Sequence, residues 1–211
     1  STPHGSWEVV KAVENEQKSC VGNAVIVGID NGNAWRDSEL TPKSIGEVQH
    51  LEMLCEDFKP EGEIFDNFLM NTVIPYVENN FPVCTDRQNV AVCGSSSGGL
   101  MSFFSAFEHP EKFGYAGVFS PAFLCYTRED WAKYLSTKIV ENMPYLYIYT
   151  GNGDELEEMI FESTEMLYEL LEESFYPYDR MNEVILFENA HNEKSWREIF
   201  PDFLHTFLSR L

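Results

Sequence analysis

Short β-rich apolar runs alternate along this chain with longer stretches of helical spacing, and that alternation restricts it to an α/β fold. The runs are residues 24–29, 89–93, 115–119, 145–149 and 183–187. Between them, a short helix is expected to begin near Trp7. Residues 63–77 place Ile64, Phe68, Val73 and Val77 near one helical face, and residues 100–107 form a helix ended by His109-Pro110. The longest helix spans residues 156–175, with Leu156, Ile160, Leu167, Leu170 and Leu171 inward and a glutamate-rich solvated face outward. Residues 196–211 make the last helix, which Pro201 should kink or split. Residues 31–62 show no clear strand, and an excursion of that length is read as a flap over the sheet.

Length and charge narrow the function classes. With 211 residues the chain is read as a single domain, 1–211. Fourteen Lys+Arg against 35 Asp+Glu give a formal charge of −21. That leaves no basic surface to neutralise phosphates, so nucleic acid is excluded as a partner, and anionic substrates are disfavoured. The hydrophobic fraction of 44% is too high for a disordered acidic tail. No apolar run approaches the ~18 residues that span a bilayer, so no membrane partner is expected. No signal-peptide pattern opens the chain, and a cytoplasmic location is expected, or a secreted one if an upstream signal peptide has been removed. Cys20, Cys55, Cys84, Cys93 and Cys125 are odd in number, lack C-x-x-C spacing and read as small reduced core side chains. No metal site is expected.

The strongest chemical signal is Gly94-Ser95-Ser96-Ser97-Gly98-Gly99, which contains G-x-S-x-G centred on Ser96. A strand before it and a helix after it are the setting of a nucleophile elbow. In such a turn the serine is held in unfavourable φ/ψ so that its Oγ projects above the sheet. Gly94 and Gly98 are expected to remove side chains that would collide across the turn, and Gly99 to let the helix approach the strands. The backbone N–H of Ser97, at the helix N-terminus, is then an oxyanion donor. Ser95 and Ser97 flank the centre of the motif.

A serine nucleophile needs a histidine base and an orienting carboxylate. Of five histidines, His4 lies at the chain start, His50 in the flap, His109 at the far end of the helix after the elbow and His205 within the last helix. His191 follows the last strand, at the carboxyl edge of the sheet where α/β proteins bind ligands, and is taken as the base. The acid should lie between Ser96 and His191, just after a strand. Asp154 follows residues 145–149 through Thr150-Gly151-Asn152-Gly153 and is taken as the acid, ahead of Glu155 and Glu157. Its position also suits a helix N-cap, and the two roles compete for the same oxygens.

With these residues in place, the chain resembles the Putative esterase (esterase D-like) family of α/β-hydrolases, which includes enterochelin, feruloyl and acetylxylan esterases. The resemblance is carried by Ile26-Val27-Gly28-Ile29-Asp30-Asn31-Gly32 with Arg36 and Glu39-Leu40-Thr41-Pro42, and by residues 68–76 (FLMNTVIPY). Residues 94–99, residues 150–154 and Ala190-His191-Asn192 with Trp196 complete it, so that it covers nearly the whole chain from Trp7 onward. It implies an α/β-hydrolase fold, a mostly parallel sheet with helices on both faces, and it carries the family triad onto Ser96, Asp154 and His191. The family also implies a strand before the first helix, between residues 24–29 and 89–93. Residues 1–6, with Pro3 and Gly5, cannot form it. An empty slot would leave two rows of backbone groups unpaired at ~1–3 kcal/mol each, so the strand and a second oxyanion donor are expected from upstream of Ser1 or from another chain.

The expected activity is therefore a serine esterase working through an acyl-enzyme, without cofactor, on a small-molecule or carbohydrate-linked ester. Acetyl or feruloyl esters of plant polysaccharide suit the charge, with Trp35 and Trp131 as stacking platforms. The same triad would serve acyl transfer to an alcohol, and a non-catalytic binding module of the same fold is the remaining reading.

Overall fold

Four parallel strands lie side by side in chain order in the computed structural model, which describes residues 5–19, 21–139 and 142–209. They are β1 (Ala91–Ser95), β2 (Tyr115–Phe119), β3 (Tyr145–Thr150) and β4 (Met181–Ile185). The helices are α1 (Val9–Lys18), α2 (Arg36–Glu39), α3 (Gly62–Phe68), α4 (Ile74–Asn80), α5 (Ser97–Glu108), α6 (Arg128–Lys138), α7 (Glu155–Glu173) and α8 (Glu193–Ser209). Parallel neighbours require a crossover, and α5, α6 and α7 supply the three between successive strands. His4 and Cys20 lie outside the described residues.

The two-residue period of the strands sorts their side chains onto two cores. Ala116, Val118, Leu146 and Ile148 pack on one face with Leu100, Phe103, Phe107, Trp131 and Leu171 from the crossover helices. Phe119, Tyr145, Tyr147 and Tyr149 pack on the other with Ala12 of α1 and Trp196, Phe200, Phe203 and Phe207 of α8. Helices thus cover both faces. Pro201 does not split α8, because it stands on the exposed side of the helix, where water can take the carbonyl bond that proline cannot.

Other expectations need correction. Residues 24–29 form no strand and do not pair with β1; Val25, Ile26 and Val27 are 43–51% exposed. The run expected at 183–187 is displaced, since β4 starts at Met181 and Phe187 is exposed. The helix expected over 63–77 is two helices joined by a π-turn, Leu69–Val73, in which the Ile74 N–H reaches back five residues to Leu69 O. Pro75 has no N–H to continue the regular ladder, which accounts for the slip. Ile64 and Phe68 face outward, because the face turned inward is that of Leu69 and the buried Asp66. Residues 31–62 contain α2, and their Leu40, Thr41, Ile45 and Val48 are buried. The Tyr126 hydroxyl donates to Pro42 O, and the Gln49 N–H to Cys125 O at 2.8 Å. The reading of the cysteines as core side chains holds for Cys125 and not for Cys55 and Cys84, which are exposed.

Asp66 accepts hydrogen bonds from Ser105 Oγ at 2.7 Å and from the His109 ring at 2.7 Å. That hydrogen bond holds the His109 pKa above its ordinary value, against the opposing effect of burial. The folded state therefore keeps a proton that the unfolded chain releases near ~6.5. This stabilisation is full below that pH and is lost as pH rises through the raised folded value. His109→Gln should flatten this decline, measured as the urea midpoint against pH. Parallel profiles for wild type and variant would refute it.

Candidate active site

Ser96 is the single residue between the end of β1 and the start of α5, at φ 59° and ψ −127°. A left-handed φ at a non-glycine residue persists only where its surroundings over-determine it. Here the Ser96 N–H donates to Phe119 O at 3.0 Å, and Ser96 O accepts from Leu100 N at 3.0 Å and Ala122 N at 3.2 Å. A Cβ on Gly94 would stand 2.4 Å from Gly98 O, and one on Gly99 2.8 Å from Phe119 O, so both positions require glycine. Gly98 differs from expectation: its added Cβ would meet nothing nearer than Arg36 Nη2 at 3.6 Å. Ser97 opens α5, so its N–H is among the donors that a helix leaves without an intrahelical partner. Cys93 is no rival nucleophile, because burial pushes its thiol pKa well up.

The loops after β3 and β4 are laced together above the sheet. The Gly153 N–H donates to Asn189 O at 2.8 Å, the Glu188 N–H to Asn152 Oδ1 at 3.0 Å and the Leu186 N–H to Thr150 O at 3.1 Å. Both glycines of Thr150-Gly151-Asn152-Gly153-Asp154 are needed for this approach. A Cβ at Gly151 would lie 2.2 Å from Asn189 O, and one at Gly153 2.2 Å from Glu188 O.

This lacing brings a carboxylate to His191, but through Glu157 and not Asp154. Asp154 caps α7: its Oδ1 accepts from the Glu157 N–H at 2.9 Å, and its Oδ2 from the His191 backbone N–H at 2.8 Å. Both oxygens are thus committed to main-chain donors, as the competition between capping and catalysis allows. One helical turn on, Glu157 is fully buried, and its Oε2 lies 2.7 Å from His191 Nδ1. Glu157 Oε1 accepts from the Gly151 N–H at 2.8 Å and from Ser120 Oγ at 2.6 Å. Ser120 Oγ in turn accepts from Trp196 Nε1 at 2.9 Å, and the Trp196 ring meets the imidazole edge-on with centroids 5.1 Å apart. Among the described residues, no hydrogen bond joins Ser96 Oγ to the imidazole.

The other histidines among the described residues are occupied elsewhere. His109 is on Asp66, His205 lies 2.9 Å from Glu16, and His50 is exposed beside Glu52. Trp131 is fully buried, with Nε1 donating to Phe123 O, so it is a core residue and not a stacking platform; Trp35 is 52% exposed. Among the described residues, no three His, Cys, Asp or Glu side chains are grouped to hold a metal ion. A cleft of about 640 Å³ lies at the other end of α5, lined by Lys43, Glu108, His109 and Tyr134, and none of Ser96, Glu157 or His191 lines it.

Residues 7–207 match the sequence profile of the family described as Putative esterase. A segment of 107 residues is 32% identical to an endo-1,4-beta-xylanase/feruloyl esterase of Xylanibacter ruminicola, covering 50% of this chain and 13% of that relative. Among solved structures, the siderophore hydrolase EstA from Aspergillus nidulans superposes with a TM-score of 0.68 at 18% identity, over 93% of this chain and 77% of that one. A ferulic acid esterase gives a TM-score of 0.67 at 16% identity, over 97% and 77%. At these identities the structural likeness bears on the fold, which is of the α/β-hydrolase type.

Proposed function

The chain belongs to the Putative esterase family, and on that footing we propose that it hydrolyses carboxylic esters through an acyl-enzyme on Ser96. The observation that carries this reading is the buried Glu157 carboxylate on Nδ1 of His191. Nδ1 donates to the carboxylate, so the neutral ring presents Nε2 as the base. Nε2 takes the Ser96 proton as Oγ bonds to the ester carbonyl carbon. The charge that develops on the carbonyl oxygen is met by the Ser97 N–H at the start of α5. The imidazolium, stabilised by Glu157, returns the proton to the departing alkoxide, and the C–O bond to the alcohol breaks. Water, deprotonated by the same nitrogen, then bonds to the acyl carbon; the bond from that carbon to Ser96 Oγ breaks, Oγ takes the proton back from the imidazolium, and the acid leaves. In this mechanism Asp154 holds the His191 backbone, and Glu157 has the role that the motif order suggests for Asp154.

For substrate, we propose a neutral acyl ester of the feruloyl or acetyl type. A formal charge of −21 repels anionic esters, and the similar segment of the Xylanibacter ruminicola protein supports a feruloyl group. Trp35, exposed and adjacent to Arg36, is available for stacking on an aromatic acyl or sugar ring. The test is a panel of p-nitrophenyl acyl esters and methyl ferulate, with a fluorophosphonate label mapped by peptide analysis. Turnover of the neutral esters and a label on Ser96 are expected. No turnover and no label would overturn the reading.

A further inference from the structure

Ser96 is gripped from both sides by two consecutive residues of α2. Arg36 Nη2 donates to Ser95 O at 2.9 Å, and Ser97 Oγ donates to Asp37 Oδ1 at 2.7 Å. Arg36 Nη1 also donates to the same Asp37 oxygen at 3.2 Å, so one arginine–aspartate pair spans the residues before and after the serine. α2 has anchors besides this pair: Ser38 accepts from the Lys59 N–H at 3.0 Å on its hydroxyl and from the Glu61 N–H at 2.8 Å on its carbonyl. Glu39 adds a bond from the Gly32 N–H at 2.7 Å. Among the described residues, Ser97 Oγ has one hydrogen-bond partner, Asp37.

We infer that Arg36 and Asp37 are positioning residues, which act through Ser95 and Ser97 to aim the Ser97 N–H at the developing oxyanion. The inference rests on the reading of Ser96 as nucleophile. Displacements of about 1 Å at a reacting centre cost up to ~100-fold in rate, so a clamp on the residue that carries the oxyanion donor bears directly on kcat. Charge matters as well. Asp37 alone would place a carboxylate beside a site that develops negative charge, and Arg36 neutralises it. Arg36→Ala should therefore cost more than Asp37→Asn, and adding Asp37→Asn to Arg36→Ala should restore part of the rate.

The test is a set of variants assayed on p-nitrophenyl acetate, with melting temperatures recorded in parallel. Ser97→Ala keeps the N–H and removes only the hydroxyl. It and Asp37→Ala, which removes the acceptor, are each expected to lower kcat about tenfold with KM within about twofold. The Ser97→Ala/Asp37→Ala double variant should be no worse than either single one, because both remove one contact. Ser97→Thr, which restores the hydroxyl, should recover most of the loss. Unchanged kcat in both single variants, losses that multiply in the double variant, or a lower melting temperature with intact kcat would each overturn the inference. Ser96→Ala serves as the separate control. If it retains turnover, the nucleophile reading itself fails, whatever the other variants do.

Discussion

Glu157→Gln is expected to lower kcat by about three to four orders of magnitude with little change in KM, the scale seen when a triad acid is made an amide. The carboxylate accepts three hydrogen bonds, from His191 Nδ1, the Gly151 N–H and Ser120 Oγ. Glutamine offers one acceptor oxygen. If that oxygen serves Gly151 and Ser120, the amide NH₂ faces Nδ1, the ring adopts the tautomer protonated at Nε2, and the base is lost. If it serves Nδ1, the NH₂ opposes the Gly151 N–H in a fully buried site and the loop is forced apart. Asp154→Asn is a milder change. Its oxygen still caps α7, and what is lost is the acceptor for the His191 N–H. A fall in kcat of about tenfold or less is expected, with a stability loss of about 0.5–1.5 kcal/mol for the one hydrogen bond lost. Steady-state kinetics and thermal unfolding of both variants decide the matter. A large loss in Asp154→Asn with a small one in Glu157→Gln would return the acid to Asp154.

Glu157 shows where a sequence stops being informative. Patterning along α7 places it on the glutamate-rich face, and for its neighbours Glu155 and Glu158 that face is indeed exposed. Glu157 is buried because the loop carrying His191, more than thirty residues later, folds over the N-terminus of the helix. No local period encodes that. One signal was present: Asp154 and Glu157 have the spacing of a capping box, in which the third helical residue turns its side chain back toward the entering loop. Here it turns back to Gly151, three residues before the cap.

The strands divide along the same line. β2 and β3 begin where their apolar runs begin, because a run buried on both faces has neighbours on both sides. Residues 24–29 are equally apolar but have no strand alongside, and composition cannot report the presence of a partner. The π-turn before Ile74 was likewise implicit in Pro75, whose missing N–H is a local fact with a local consequence. The Ser96 turn was the most legible feature, since a strand, a glycine two residues before the serine and a glycine three after it are all short-range requirements. The grip of Arg36 and Asp37 on that turn, across about sixty residues of chain, was not.

Ser96→Ala and Ser96→Gly should both abolish ester turnover, yet they should differ in stability. Loss of a triad nucleophile removes the acyl-enzyme route, and kcat should fall by at least about 10⁴-fold in either variant, with the fluorophosphonate label absent. Alanine has the same Cβ as serine, so Ser96→Ala keeps the strained φ of 59° and should leave stability near wild type. Glycine adopts that conformation freely. It relieves about 1–3 kcal/mol of backbone strain and gives back about 0.4–1 kcal/mol through the greater freedom of the unfolded chain. The net gain of roughly 1 kcal/mol corresponds to a melting temperature about 2–4 °C above that of Ser96→Ala for a domain of this size. An inactive protein that is more stable than the active one would locate the strain at the residue the chemistry needs. If Ser96→Gly instead melts below Ser96→Ala, the turn is not strained at this position, and the serine is held there by its neighbours at no local cost.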